Sequence, residues 1–138
     1  MDKTTETTTF MQISDQEMKF LLQSQQGELD AVPMYQALAA KVKDPKDAET
    51  FRKLAAEEGH HAAVLKQLTN TVLKPKKAKS IIMPLLYKFL GKKRLYAIIS
   101  QGEYKAAERY APMVARFPTF ESVMNDEKRH GDMVKDLL

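Results

Sequence analysis

Six residues of this chain have the types and the spacing of a metal-binding cluster. Glu28 is followed seven positions on by Tyr35, and Glu103 is followed at the same distance by Tyr110. A Glu-x-x-His comes after each pair: Glu58 with His61 in the first half, Glu127 with His130 in the second. At 3.6 residues per turn, positions three or seven apart share one face of a helix. Four helices bearing these residues can therefore turn four carboxylates and two imidazoles into one bundle core. A Glu from each of two helices and a Glu-x-x-His from each of the other two form the ligand set of carboxylate-bridged di-iron and di-manganese centres. Burying four carboxylates together without a neutralising cation is prohibitively costly.

A single Glu-x-x-His carries little weight, because such pairs arise freely on helix surfaces. Position along the apolar stripes carries more. Glu58 and His61 alternate with Phe51, Leu54, Ala55, Ala62, Leu65 and Leu68, and Glu127 and His130 with Phe120, Val123, Met124, Val134 and Leu137. A polar residue in such a stripe needs a partner. Glu57 and His60 share a face with Thr50 and Lys53 instead, so both are read as solvated, with His60 at the surface or just behind the site. A metal-free bundle with buried Glu–His hydrogen bonds is the plain alternative. It leaves two excess negative charges and no basic residue in the stripes to meet them. Tyr35 and Tyr110, taken singly, are ordinary core aromatics; their matched offsets from Glu28 and Glu103 point to hydrogen bonds onto a ligand carboxylate.

The elements that must position these groups are all helical. Only five Gly and six Pro stand among 138 residues rich in Ala, Leu, Lys, Glu, Gln and Met, and 43% of the chain is hydrophobic, enough for one domain with one core. Residues 1–13 are polar, Thr-rich and expected to be disordered, leaving a bundle domain over 14–138. Ser14-Asp-Gln-Glu17 is a capping box that starts the first helix, whose stripe runs Met18, Leu21, Gln25, Glu28, Ala31, Tyr35, Leu38, Val42. Pro33 inside it is expected to kink the helix or force a local bulge, and a later start at Pro33 is the rival reading. Asp44-Pro45 starts the second helix. Thr69–Lys79 breaks the periodicity and forms a basic connection, followed by a short helix over Ser80–Leu90 that ends at Gly91. The third long helix covers Lys92–Tyr110, with stripe Leu95, Ile99, Glu103, Ala106 and Tyr110, and stops before Pro112; the fourth starts near Pro118 or Thr119.

Register supports the pairing. Glu28 lies 16 residues before Asp44 and Glu58 lies 14 after it. At 1.5 Å per residue the two carboxylates fall within roughly 3 Å of the same depth in an antiparallel hairpin.

The chain has no Cys, which excludes disulfides, zinc–thiolate sites and iron–sulfur or rubredoxin-type centres and fits a reducing, cytoplasmic setting. MDKTTETTTF has no apolar core, so it is not read as a signal peptide, and no apolar run reaches spanning length. The net charge is +4 and unevenly spread. Lys74, Lys76, Lys77 and Lys79 precede the apolar run Ile81–Leu90, and Lys92, Lys93 and Arg94 follow it. This is read first as a crossover with a solvated basic rim, and second as a segment able to lie on an anionic membrane surface. No motif accompanies the charge that would indicate nucleic-acid binding.

Taken together, Glu28-Leu-Asp-Ala…Tyr35, Ala56-Glu-Glu58…His61-Ala, Gly102-Glu103…Glu108-Arg-Tyr110 and Asp126-Glu127…His130 resemble the ferritin-like superfamily, closest to rubrerythrin-type domains, including those attached to vacuolar-iron-transporter-type membrane proteins. The resemblance covers residues 28–130. It implies an all-α antiparallel four-helix bundle with a long crossover, two iron ions (with Mn or Zn as substitutes) and often a homodimer. Glu58 and Glu127 would bridge the metals, Glu28 and Glu103 would be terminal or bridging carboxylates, and His61 and His130 would give one nitrogen to each metal. It further implies an oxidoreductase in which Fe(II) meets peroxide or O₂ in oxidative-stress defence or iron handling. The other implied role is iron binding, storage or delivery without turnover, alongside a membrane transporter. Two departures stand out. Rubrerythrins proper carry a Cys-rich electron-delivering module, so with no Cys here an external donor is required. They also carry a further carboxylate one turn beyond the first ligand of the third long helix, where this chain has Ala106, Glu108 being on another face.

Overall fold

The computed structural model describes residues 12–138; the expected disordered tail falls mostly on residues 1–11, outside the described part. Gln12 and Ile13 are described, and Ile13 packs against one end of the core. Five α-helices follow: α1 (Asp15–Lys41), α2 (Pro45–Thr69), α3 (Ala78–Leu90), α4 (Lys92–Tyr110) and α5 (Phe120–Lys135). A short 3-10 turn, Ala111–Met113, ends α4 at the expected place beside Pro112. No strand occurs among the described residues.

Local chemistry explains the boundaries. Ser14 Oγ accepts from Glu17 N at 3.1 Å and Glu17 Oε1 accepts from Ser14 N at 3.0 Å, so both halves of the capping box form. Asp44 caps α2 by accepting from Lys46 N at 2.8 Å, with Pro45 at the first helical position. Asn70 closes α2 in the left-handed conformation, φ 49°. α1 is assigned α-helix throughout, Pro33 included, and it begins at Asp15, so the rival start at Pro33 is overturned. The long flanking segments pack on both sides of the Pro and hold the helix together across the missing donor.

α1 and α2 form one hairpin and α4 and α5 another, and α3 lies across α1 as part of the crossover. The crossover is strapped down by polar contacts from α1. Gln25 Nε2 donates to Thr71 O at 2.8 Å, Gln26 Nε2 to Lys74 O at 2.9 Å, and Asp30 Oδ1 accepts from Lys76 N at 2.7 Å. Two apolar clusters fill the bundle. One gathers Leu38, Phe51, Leu54, Leu95, Tyr96 and Val134; the other gathers Leu21, Leu65, Phe117, Phe120 and Val123. On each long helix the six predicted ligands fall between residues of the first cluster and residues of the second. A polar layer is thus sealed by an apolar plug at each end. Behind it, α4 and α5 approach closely at Gly131, where a Cβ would come within 2.6 Å of the Tyr104 ring. Ser100 Oγ also donates to Gly131 O at 2.9 Å, fixing the turn that carries His130.

Candidate metal centre

The structure brings all six predicted residues into that layer. Glu28, Glu58, His61, Glu103, Glu127 and His130 are each no more than 6% exposed. They form two overlapping groups, Glu28–Glu58–His61–Glu127 and Glu58–Glu103–Glu127–His130, in each of which the potential ligand atoms lie within 4.8 Å of one another. Glu58 and Glu127 belong to both. The helix periodicity accounts for this: each is the Glu of a Glu-x-x-His, one turn from its own imidazole and directly across from the other motif.

Each imidazole is held from behind by a carboxylate of the opposite motif. His61 Nε2 lies 2.8 Å from Asp126 Oδ2, and His130 Nε2 lies 3.2 Å from Glu57 Oε1. A carboxylate can only accept, so an Nε2 proton is assigned to these bonds, and Nδ1 is the nitrogen that faces inward, open to a proton or to a metal. Arg129 links the two supports, donating to Asp126 Oδ1 at 3.1 Å and to Glu57. Both supporting carboxyls are held below the ordinary range: burial works to raise them, and the His and Arg contacts outweigh it. Glu57 is therefore a correction to the sequence reading. It is half-buried and bonded to His130, not part of the solvated face. Its neighbour His60 is exposed as expected. Asp126 was missed as a supporting residue. The available signal was a repeat within the repeat, an acid immediately before each Glu of a Glu-x-x-His on a stripe: Glu57-Glu58 and Asp126-Glu127.

The tyrosines reach across the bundle. Tyr110 Oη donates to Glu28 Oε1 at 2.8 Å, and Tyr35 Oη donates to Glu103 Oε1. Each matched Tyr thus serves the Glu of the other hairpin. Burial first, then the carboxylate beside it, raises both phenols well above their usual range, so they stay protonated and donate.

With the outer atoms of the cluster satisfied, the inner ones are not. Glu28 Oε2, Glu58 Oε1, His61 Nδ1, Glu103 Oε2, Glu127 Oε1 and His130 Nδ1 are buried without a hydrogen-bond partner. One atom comes from each predicted ligand. His61 Nδ1 stands 3.1 Å from Glu127 Oε1, and His130 Nδ1 stands 3.1 Å from Glu58 Oε1, so these facing atoms need a proton or a cation between them. Such a shell is filled either by protons or by cations. Without a cation it holds protons. Burial, and then the Glu58 charge, pushes Glu28 up to about 7, and burial pushes Glu127 up to about 12. His130 rises to about 10 against the effect of burial, drawn up by Glu103 and Glu58. Glu58 is held down to about 2, where burial is outweighed by the two imidazoles, His130 and His61, that face it. Oxygen and imidazole donors in this ratio fit divalent iron or manganese.

A cavity of about 290 Å³ connects the layer to the surface, bounded on the inside by Glu28 and Glu103 and further out by Ala106, Met83, Lys79 and Ile98. Ala106 thus lies on the site-facing side of α4, as its place in the stripe requires, and Glu108 is exposed elsewhere.

No curated protein and no solved structure matches the chain. The family model for rubrerythrin matches residues 19–138, a span that includes all six residues of the cluster and both of their supporting carboxylates. On that match, and with an all-helical bundle whose buried carboxylate and imidazole groups can hold metal, the chain belongs to the rubrerythrin family.

Proposed function

We propose that the cluster is a di-iron centre and that the protein is an oxidoreductase reacting its Fe(II) pair with peroxide or O₂. The observation that carries this reading is the set of six buried, partnerless atoms, one from each of six residues that share two overlapping groups. Glu58 and Glu127, which belong to both groups, would be shared by the two ions, with Glu28 and His61 holding one and Glu103 and His130 the other. Two iron ions held there would supply the two electrons that, with two protons, convert H₂O₂ to two waters.

The chain's own residues do the rest. Asp126 and Glu57 keep Nδ1 of His61 and of His130 pointed inward. Tyr110 and Tyr35 each occupy one oxygen of Glu28 and Glu103, leaving the second oxygen for metal and limiting carboxylate rotation. The apolar plugs exclude bulk water, which protects a reactive centre from side reactions. The small-walled cavity admits an oxidant of the size of H₂O₂ or O₂. With no Cys in the chain, electrons come from an external donor.

Ala106 favours a second reading, iron handling with little turnover, because the further carboxylate of rubrerythrins proper is missing there. Anaerobic Fe(II) titration followed by stopped-flow absorbance separates the readings. Two equivalents bound, followed by rapid oxidation that repeats when reductant is added, is the expected result. A single slow stoichiometric oxidation would favour storage or delivery, and the absence of saturable Fe(II) binding would remove both.

A further inference from the structure

The crossover helix α3 exposes an apolar face that none of the described residues covers. Met83, Leu86 and Tyr87 turn inward against the core. Ile81, Ile82, Leu85 and Phe89 turn outward, at 65%, 50%, 50% and 76% exposure, and Ile98 of α4 adds 54%. Positions 81, 82, 85 and 89 fall on one face of a helix. Monomeric proteins rarely leave such a surface uncovered, and a basic rim around it narrows the partner. Nine of the chain's 22 Lys and Arg, and none of its 18 Asp and Glu, lie between Gly59 and Gly102. Lys74, Lys76 and Lys77 stand before the helix, Lys79 and Lys88 on it, and Lys93 and Arg94 after it, all exposed.

We infer that α3 docks the protein on an anionic lipid bilayer, lying in the plane of the interface. Phe89, Ile81, Ile82 and Leu85 enter the acyl boundary while the lysines reach phosphate headgroups on their long stems. A bilayer meets both requirements without a shaped groove. A second copy meets them poorly: a two-fold contact sets the same patch against itself, bringing two sets of lysines together. No described helix is long and apolar enough to cross a membrane, so the attachment is peripheral. Lys79, Met83 and Ile98 also border the cavity that leads to the metal centre, so docking sets its outer rim against the lipid. The inference stands on α3 alone and does not depend on the identity of the metal.

The test is co-sedimentation of the full chain, metal-free and iron-loaded, with vesicles of phosphatidylcholine alone and of phosphatidylcholine with phosphatidylglycerol. Binding is expected to the mixed vesicles only, and to weaken as ionic strength rises. Ile81→Ser with Phe89→Ser should reduce partitioning about tenfold or more, while far-UV helicity and Fe(II) uptake stay at wild-type levels because both side chains are exposed. Three results would overturn the inference: equal sedimentation with and without anionic lipid, unchanged binding by the double variant, or a wild-type dimer in sedimentation equilibrium that the double variant dissolves, which would assign the face to a second copy.

Discussion

At the centre of the bundle, four carboxylates and two imidazoles are buried where apolar side chains would ordinarily sit; on α3, Ile81, Ile82, Leu85 and Phe89 stand in solvent where polar ones would. The two regions depart from the usual placement in opposite directions. In the bundle the energetic problem is electrostatic, since the facing atoms need a proton or a cation between them. On α3 it is hydrophobic, since apolar area stays wet. Each arrangement makes sense once a partner is supplied, a cation in one case and a lipid surface in the other. The difference lies in how each region is held. The charged layer is fixed from outside by Asp126, Glu57, Tyr35 and Tyr110, so it is organised before any metal arrives. The apolar face of α3 has no such scaffold and needs none, because a bilayer imposes little shape.

The largest effect that would break this contrast comes from Glu127→Gln. Glu127 belongs to both ligand groups, so uptake of both metal equivalents should be lost in Fe(II) or Mn(II) titrations. The metal-free protein should meanwhile keep its stability within about 0.5 kcal/mol, because its Glu127 is already protonated and Gln has the same shape and charge. Retained binding of two metals would show that the layer is not the site.

Next in size is the pH dependence of metal stabilisation. Glu28 is raised from 4.5 to about 7, so between those values the folded metal-free chain holds a proton that the unfolded chain has released. Its stability therefore falls as pH rises through that window, by up to roughly 3 kcal/mol. His130, raised to about 10, acts in the same direction above its ordinary 6.5. A bound cation displaces these protons and removes the loss. The gap in melting temperature between loaded and metal-free protein should widen from pH 5 to pH 8; a constant gap would contradict proton-for-metal exchange.

Asp126→Asn keeps an acceptor for His61 Nε2–H but removes the charge that makes the imidazole a strong donor. Metal affinity should fall about 10- to 100-fold, measured by competition with a chelator. Glu57→Gln should do the same through His130, whereas His60→Ala should bind nearly as wild type. A smaller change is expected of Tyr110→Phe, which leaves Glu28 Oε1 without its donor and should cost about 1–2 kcal/mol in chemical unfolding. Smallest of all is Ile82→Ser on α3: at 50% exposure it should shift lipid-free stability by no more than about 0.5 kcal/mol, and a large loss would mean that the face is covered within the folded protein.

Several features are legible in the sequence alone. Ser14, Asp44, Gly91 and Pro112 mark helix ends through local chemistry, and the structure places boundaries within a residue or two of each. The depth match of Glu28 and Glu58 follows from rise per residue alone. Glu57 and Asp126 were not legible in this way. Each lies one residue before a ligand, about 100° off the inward face of its own helix, and reads as surface until the opposite hairpin arrives. Asp47 is similar: it is buried because Tyr96 Oη donates to it at 2.8 Å and Lys92 Nζ stands 3.1 Å away, both from the far side of the crossover.

Periodicity and capping are properties of contiguous residues, so the sequence by itself determined that there are four long helices, which face of each is inward and which six side chains share that face. Contacts between hairpins depend on their relative rotation and spacing, which no local signal encodes. Only the tertiary structure therefore decided that Tyr35 serves Glu103 and Tyr110 serves Glu28, that each imidazole is steadied by the opposite motif's acid, and that α1 stays unbroken through Pro33. It also decided that α3, apolar nearly all round, has one side against the bundle and the other left exposed by the described residues.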